Sequence, residues 1–505
     1  MGSLPDSKYI IKTDGYWFVE AHDIDPSKGY ITVSAKGIVN GLSNIPNDGA
    51  DFGPDSYNPN YSGSGIPYTQ TSGIQEAVDY VVANEIATMV CIGHFTFSNI
   101  NLNDGYNSIQ SISQPIGILF PLIDAGNTSL RVIRIIGVGG QASTYETTPG
   151  DEMGYPTKDG TIFEVTDTTD YTTYGGVSNN LTNGSLFGIK DPSSLTLSHS
   201  NIQVEFADIT FLSPNNGLPH TAIDGGAFAG LIVNRVSVDV SRTTSQVVSE
   251  PKQYGGVGVI FPLSGDMGVS YAPSLNITGY RVAIIYGAHF TSIVMHIYAC
   301  YYGILPQAGY HPSQIDYLNI EQCVYNIVAS EPNTALPSGG TPQSPTTIHI
   351  LDIQKANPSS GTWNVNLADI YADATSAVNA FNLNIDYLIQ NTAGSGLQTS
   401  VLDITNTTPA NITLNIYRKR SLVSNYAPTP TTPTVPASGT AQSNTNPYPV
   451  NVYLYGGTVT VIDYTPNGGS ATQVGTAGPA TVRLNPGDSI TLTYSAAPTW
   501  NWVAV

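Results

Sequence analysis

Apolar and polar residues alternate in short runs through most of this chain. Between about residues 130 and 420 such runs fall at 130–137, 161–165, 202–212, 229–240, 256–261, 276–286, 293–304, 315–327, 347–353, 364–371, 381–389 and 400–404. Gly, Asn, Pro and Ser clusters separate them. A period of two with these punctuating residues predicts strands joined by turns. Two runs also repeat each other. Ile297-Tyr298-Ala299-Cys300-Tyr301-Tyr302-Gly303-Ile304 lines up with Ile320-Glu321-Gln322-Cys323-Val324-Tyr325-Asn326-Ile327 at an offset of 23 residues. A repeat of this length, apolar at alternate positions, predicts coils of a β-solenoid, on the order of ten of them. Such a fold offers one long, rigid side wall as its working surface.

The helical period appears clearly once. Ile74, Ala77, Val78, Val81 and Val82 share a helical face, and Ser72 with Gln75 reads as a capping box. Before it, 16–20 and 30–34 read as strands. After it, 89–97 reads as a strand with a turn at Gly93. Residues 424–447 are rich in Pro, Thr, Ser and Asn and read as a semi-extended linker. Beyond them, alternating runs at 450–455, 458–462, 481–484 and 489–494 predict a β-sandwich of roughly 60 residues, near the lower size for independent folding. The expected layout is therefore a strand region with a capping helix over 1–125, a parallel β-helix over 126–423, a linker over 424–447 and a sandwich over 448–505. The fold class is all-β.

Composition narrows the chemistry. The 505 residues carry 37 acidic against 17 basic side chains, a formal charge of −20. No Lys/Arg stripe exists to neutralise phosphates, which argues against a nucleic-acid partner. No run approaches the ~18–20 apolar residues of a membrane span, so membrane insertion is not expected. Few Lys with many Tyr, Thr and Asn fit an extracellular or virion-surface location. Three cysteines are too few for a disulfide scaffold. Cys300 and Cys323 would stack one strand spacing apart, as buried thiols or as a disulfide. No phosphate-cradling loop, zinc spacing or serine nucleophile elbow occurs, so no metal site and no cofactor are expected. Trp363, Trp500 and Trp502 read as core.

Asp48-Gly49-Ala50-Asp51, then Thr71, Ile74-Gln75-Glu76-Ala77 and Val90-Cys91-Ile92-Gly93-His94-Phe95 together resemble a known N-terminal signature. It is that of the pectate-lyase-like β-helix superfamily, which includes polygalacturonase-like hydrolases and viral tailspikes. The loop between Asp51 and Thr71 is longer than in that signature, and Gly93-His94-Phe95 departs from its wording. The resemblance implies a single-stranded right-handed parallel β-helix whose helix caps the open end of the solenoid. It also implies a polysaccharide partner, with homotrimeric or virion assembly in the viral relatives.

Carboxylates are sparse within the solenoid and are the candidates for chemistry: Asp208, Asp224, Asp239, Asp266, Asp316, Glu321 and Asp352. Two on neighbouring coils would lie ~5–10 Å apart, the range of glycosidase acid pairs. Asp224, Asp266, Asp316 and Glu321 are selected as the catalytic set. Asp316 and Glu321 share a strand but differ by five, so both face the groove only if the chain turns between them. Tyr is frequent, 31 residues, and its flat apolar face with a hydroxyl suits sugar rings. Tyr298, Tyr310, Tyr317, His289 and His311 are the candidate substrate-binding residues. The readings left open are a glycoside hydrolase, a non-catalytic glycan-binding attachment protein, a purely structural spike, and a lyase, which the resemblance implies would use Arg or Lys as base and often calcium. Few basic residues in 202–327 place the lyase behind the hydrolase.

Overall fold

The computed structural model describes residues 9–13, 16–19, 26–35, 50–54, 56, 69–107, 112–123, 130–138, 160–173, 183–189, 200–213, 219–240, 256–263, 269–287, 289–306, 312–330, 345–355, 368–372, 381–392, 404–406, 412–421, 432–446 and 449–504. The chain forms two compact units, Met1–Gly396 with Ile404–Arg420, and Leu397–Asp403 with Ser421–Val505. Among the described residues, no helix is long and apolar enough to cross a membrane.

The larger unit is built on two long sheets, of ten and thirteen strands, whose neighbours run almost entirely parallel. From Ser200 to Ser421 the chain alternates strictly between them, one strand in the thirteen-stranded sheet and the next in the ten-stranded sheet. This topology is compatible with a parallel β-helix. The sequence repeat sets the register. Ile297 pairs with Ile320 and Tyr298 with Glu321 in one sheet, and Tyr302 pairs with Tyr325 in the other, all at the 23-residue offset.

Side chains from both sheets meet in a common core. Phe187 of the ten-stranded sheet touches Phe206, Phe211 and Phe163 of the thirteen-stranded sheet, with ring centroids 5.0, 6.0 and 5.6 Å apart. These edge-to-face and tilted contacts add to the apolar burial. The two sheets differ on their outer faces. In the ten-stranded sheet, strands such as Val282–Tyr286 and Tyr302–Pro306 are buried at every position. Their unbroken apolar runs are those of parallel strands covered on both sides. Strand Phe290–Tyr298 of the thirteen-stranded sheet instead alternates buried with exposed or half-buried residues. The solvent-facing wall in this region is therefore the outer face of the thirteen-stranded sheet.

A turn at the end of three consecutive strands of the thirteen-stranded sheet explains the repeated cysteines. Gly279, Ala299 and Gln322 follow consecutive strands of the thirteen-stranded sheet, and all three take positive φ, at 82°, 51° and 53°. The left-handed residue turns the chain sharply toward the other sheet. Cys300 and Cys323 come next, both buried and both free thiols rather than a disulfide. The N–H of Val324 donates to the Cys300 carbonyl at 3.1 Å, which keeps the two corners in step. Burial, and then the neighbouring Cys300 thiol, pushes the Cys323 thiol well above its ordinary pKa.

The predicted helix is Ile74–Ala83, and it buries Ile74, Ala77, Val78 and Val81. Its start differs from the expected capping box. Gly73 is the N-cap residue, and the Thr71 hydroxyl, not Ser72, accepts the Gln75 N–H at 3.0 Å. Ser72 sits at φ 55°, so its side chain is not placed as a cap. The Gln75 side chain has another task. Its Nε2 donates to the Leu119 carbonyl at 2.9 Å and its Oε1 accepts the Leu119 N–H at 2.7 Å. The amide thus pairs with the backbone of Ile112–Phe120 as a neighbouring strand would. Asp51 of the N-terminal signature accepts from the Thr32 N–H and hydroxyl at 2.8 and 2.9 Å, tying that loop to strand Tyr30–Ser34.

The C-terminal unit holds a four-stranded and a three-stranded antiparallel sheet. Both sheets contribute to one core of Val450, Val452, Leu454, Val459, Ile462, Val482, Leu484, Ile490, Leu492, Trp500 and Trp502. Seven strands form it, including Ala441–Ser443, Thr472–Gly475 and Thr499–Ala504 beyond the four expected. Part of the Pro-rich stretch packs here too: the Trp500 indole donates to the Pro433 carbonyl at 2.6 Å and the Tyr494 hydroxyl to Pro436 at 2.7 Å. Trp363 lies outside the described residues.

Candidate functional site

Four strands carry the site on the outer face of the thirteen-stranded sheet: Phe290–Tyr298, Ser313–Glu321, Thr346–Lys355 and Phe381–Thr392. They share one irregularity. In the second strand, Asp316 and Tyr317 both point outward between buried Ile315 and Leu318. The same doubled outward pair recurs at Ile293 with Val294, His349 with Ile350, and Asp386 with Tyr387. Alternation therefore slips by one, and Asp316 and Glu321 do face the same way. That answers the parity problem posed by their five-residue separation.

Sharing a face does not make them partners. Five residues of extended strand span ~16 Å, well beyond the ~6.5–9.5 Å of an inverting acid pair. Each has its own neighbours on the adjacent coils. Asp316, His349 and Asp386 form one stack: His349 Nδ1 lies 2.5 Å from Asp386 Oδ2, and its Nε2 lies 3.8 Å from Asp316 Oδ1. Further along, Glu321 Oε2 lies 3.7 Å from His296 Nε2. On the next strand, Asp352 Oδ2 accepts the Tyr317 hydroxyl at 3.0 Å. Burial, then the charge of Asp352 and its hydrogen bond, pushes the Tyr317 phenol up to about 12. Asp352 Oδ1 is buried and has no hydrogen-bond partner among the described residues.

Glu321 and Asp352 lie on adjacent strands of this face, with Glu321 turned toward His296 and Asp352 toward Tyr317. Asp352 pairs with Asn319 and Glu321 with Gln354, so the two acids are diagonal neighbours across adjacent strands. One strand spacing and a two-residue offset put their Cα atoms roughly 8 Å apart. Asn319, the register partner of Asp352, is 6% exposed. Such a pair can protonate a leaving oxygen with one acid and activate water with the other.

The remaining sequence candidates lie elsewhere. Asp224 is 3% exposed, on the ten-stranded sheet, and its Oδ1 accepts the Gly226 N–H at 3.2 Å. It closes a turn and is not brought to Asp316 or Glu321. Asp208 is held by Arg235 through both oxygens, at 2.6 and 2.5 Å. Tyr298 stands beside Glu321 in register and donates its hydroxyl to Gln322 at 3.0 Å. His289 is exposed just before strand Phe290–Tyr298, with φ 61°. Asp266, Tyr310 and His311 lie outside the described residues. Sequence reasoning passed over His296, His349 and Asp386, and it counted Asp352 without selecting it. Their signal was parity within aligned strands, which the unequal spacing of the coils concealed. Among the described residues, no group of three or more His, Cys, Asp or Glu is arranged to hold a metal ion.

No known protein-family model matches the chain, and no curated protein sequence matches it.

Proposed function

We propose that the larger unit is a right-handed parallel β-helix of the pectate-lyase-like kind, closed at its N-terminal end by helix Ile74–Ala83. We further propose that its exposed wall binds and hydrolyses polysaccharide outside the cell or on a virion surface. The helix suits a cap because its apolar face is buried and Gln75 completes the pairing of Leu119. Unpaired strand edges invite aggregation, and such a helix covers them.

The observation that carries the functional reading is the diagonal pair Glu321 and Asp352, from neighbouring coils, on the solvent-facing wall. Asp352, whose Oδ2 accepts the Tyr317 hydroxyl and is oriented by it, is assigned as general base. Glu321 is then the general acid. The base draws a proton from water as that water attacks the anomeric carbon, while the acid protonates the departing glycosidic oxygen. Tyr298 and Tyr317 would line the groove beside the acids.

A second reading uses the same wall only to hold glycan. It draws on the contacts that already engage the acids, Tyr317 with Asp352 and His296 with Glu321. Digestion of a polysaccharide panel separates the readings. New reducing ends without unsaturated product are expected of the hydrolase. Absorbance from a new double bond would mean a lyase. Retention without turnover would mean an attachment protein, and neither retention nor turnover would overturn the glycan reading.

A further inference from the structure

The three-stranded sheet of the C-terminal unit has one face in the core and one in solvent. Val450, Val452 and Leu454 of its central strand Val450–Tyr455 point inward, against Trp500, Trp502, Val482 and Leu484. Asn451, Tyr453 and Tyr455 alternate to the other side. Tyr453 is 40% and Tyr455 48% exposed, unusual for two large aromatic rings on one strand. Two residues of strand put them ~6.8 Å apart along the face.

The flanking strands give this pair a consistent polar frame. Tyr453 stands opposite Thr481 on one side and Asn501 on the other. Such cross-strand neighbours lie ~4.5–5.5 Å away. Tyr455 stands opposite Thr499, and Asn451 opposite both Arg483 and Val503. The Thr432 hydroxyl donates to Asn501 Oδ1 at 3.1 Å, which orients that amide and leaves its N–H groups for an incoming hydroxyl. Arg483 is the only charged side chain among the outward positions of the three strands. The buried Trp500 and Trp502 beneath make the platform rigid.

From this arrangement we infer that the outer face of the three-stranded sheet is a second glycan-binding site, for an uncharged polysaccharide chain. A sugar ring laid on Tyr453 or Tyr455 places its C–H face on the aromatic ring. Its equatorial hydroxyls then point at the amides and hydroxyls of Asn501, Thr481 and Thr499. A face with no carboxylate and one cation offers nothing to repel or specially attract a neutral chain. The inference concerns binding only and stands without hydrolysis on the wall.

Native affinity electrophoresis of the full chain, in gels containing hydroxyethylcellulose, galactomannan or dextran, tests it. At least one polymer is expected to retard the wild type. Tyr453→Ala with Tyr455→Ala should weaken that retardation roughly tenfold or more, while Tyr453→Phe preserves it. Tyr417→Ala, at an exposed tyrosine of the larger unit, should leave it unchanged, which separates this face from exposed aromatic rings elsewhere. An unaltered melting transition of the C-terminal unit in the double alanine variant guards against unfolding. Undiminished retardation in that variant, or no retardation of the wild type by any of the three, would overturn the inference.

Discussion

The wall of the larger unit and the open face of the C-terminal unit meet solvent in opposite ways. The wall carries acids, histidines and a tyrosine in stacks that cross successive coils. The stretch from 432 to 505 has only three charged side chains, Asp463, Arg483 and Asp488, and shows aromatic rings and amides instead. The difference follows from strand geometry. Parallel strands in register place equivalent positions ~4.8 Å from one another, so like charges in one stack would repel. The Asp316–His349–Asp386 stack avoids this by setting an imidazole between two carboxylates. Stacking thus turns a sparse supply of ionisable residues into pairs and triples. The antiparallel sheets bring together unlike neighbours and make a flat platform more readily than an acid pair.

Substitutions can test whether the two regions are independent. The largest effect is expected in the core between the two long sheets. Phe187→Ala removes a ring that touches Phe163, Phe206 and Phe211, and should cost about 3–5 kcal/mol. Calorimetry should show the transition of the larger unit falling while that of the C-terminal unit stays in place. A common shift of both would join the regions into one cooperative body.

Asp488 probes the other side. Burial alone would raise its carboxyl pKa. Hydrogen bonds from the Asn467 N–H, the Tyr464 hydroxyl and the Asn485 N–H, at 2.9, 2.8 and 2.8 Å, outweigh burial and hold it below the ordinary value. Asp488→Ala should destabilise the C-terminal unit by about 1–3 kcal/mol. Because the folded pKa is depressed, this stability is fully present above the usual ~4 and is lost as pH falls through the folded value. Melting curves between pH 6 and 2, roughly spanning that range, should show the wild-type advantage over Asp488→Asn shrink on acidification.

Tyr317→Phe removes the hydroxyl donated to Asp352 and should cost about 1 kcal/mol in the larger unit. It should also lower turnover with little change in glycan retention, measured on the same panel. The smallest effect concerns the thiols. Cys91, Cys300 and Cys323 are buried and free. The native chain should react with an aromatic disulfide reagent far more slowly than the denatured chain, in which three thiols titrate at once.

Much of this was legible in the residues. The 23-residue repeat named the register of two coils correctly, down to Ile297 with Ile320 and Cys300 beside Cys323. Other coils were obscured by unequal spacing. Ser270 pairs with Phe290 at an offset of 20, and Ser313 with Thr346 at an offset of 33. Without the second offset, Asp352 cannot be recognised as a neighbour of Glu321. Strict alternation misled over Asp316 because two adjacent residues point outward in every strand of the site. Asp224 was selected as an acid from its sparse surroundings, yet its carboxylate accepts the Gly226 N–H and closes the Gly225-Gly226 turn. The left-handed corners were readable at Gly279 but not at Ala299 or Gln322, whose side chains ordinarily avoid positive φ.

Turnover by acid-pair variants tests the central claim most directly. Reducing-end release by Glu321→Gln and by Asp352→Asn should each fall by about 10²–10⁴-fold, while the buried, turn-closing Asp224→Asn, if folded, keeps wild-type release. Equal release by all three variants and the wild type would contradict the assignment of these two acids, and with it the hydrolytic role of the wall.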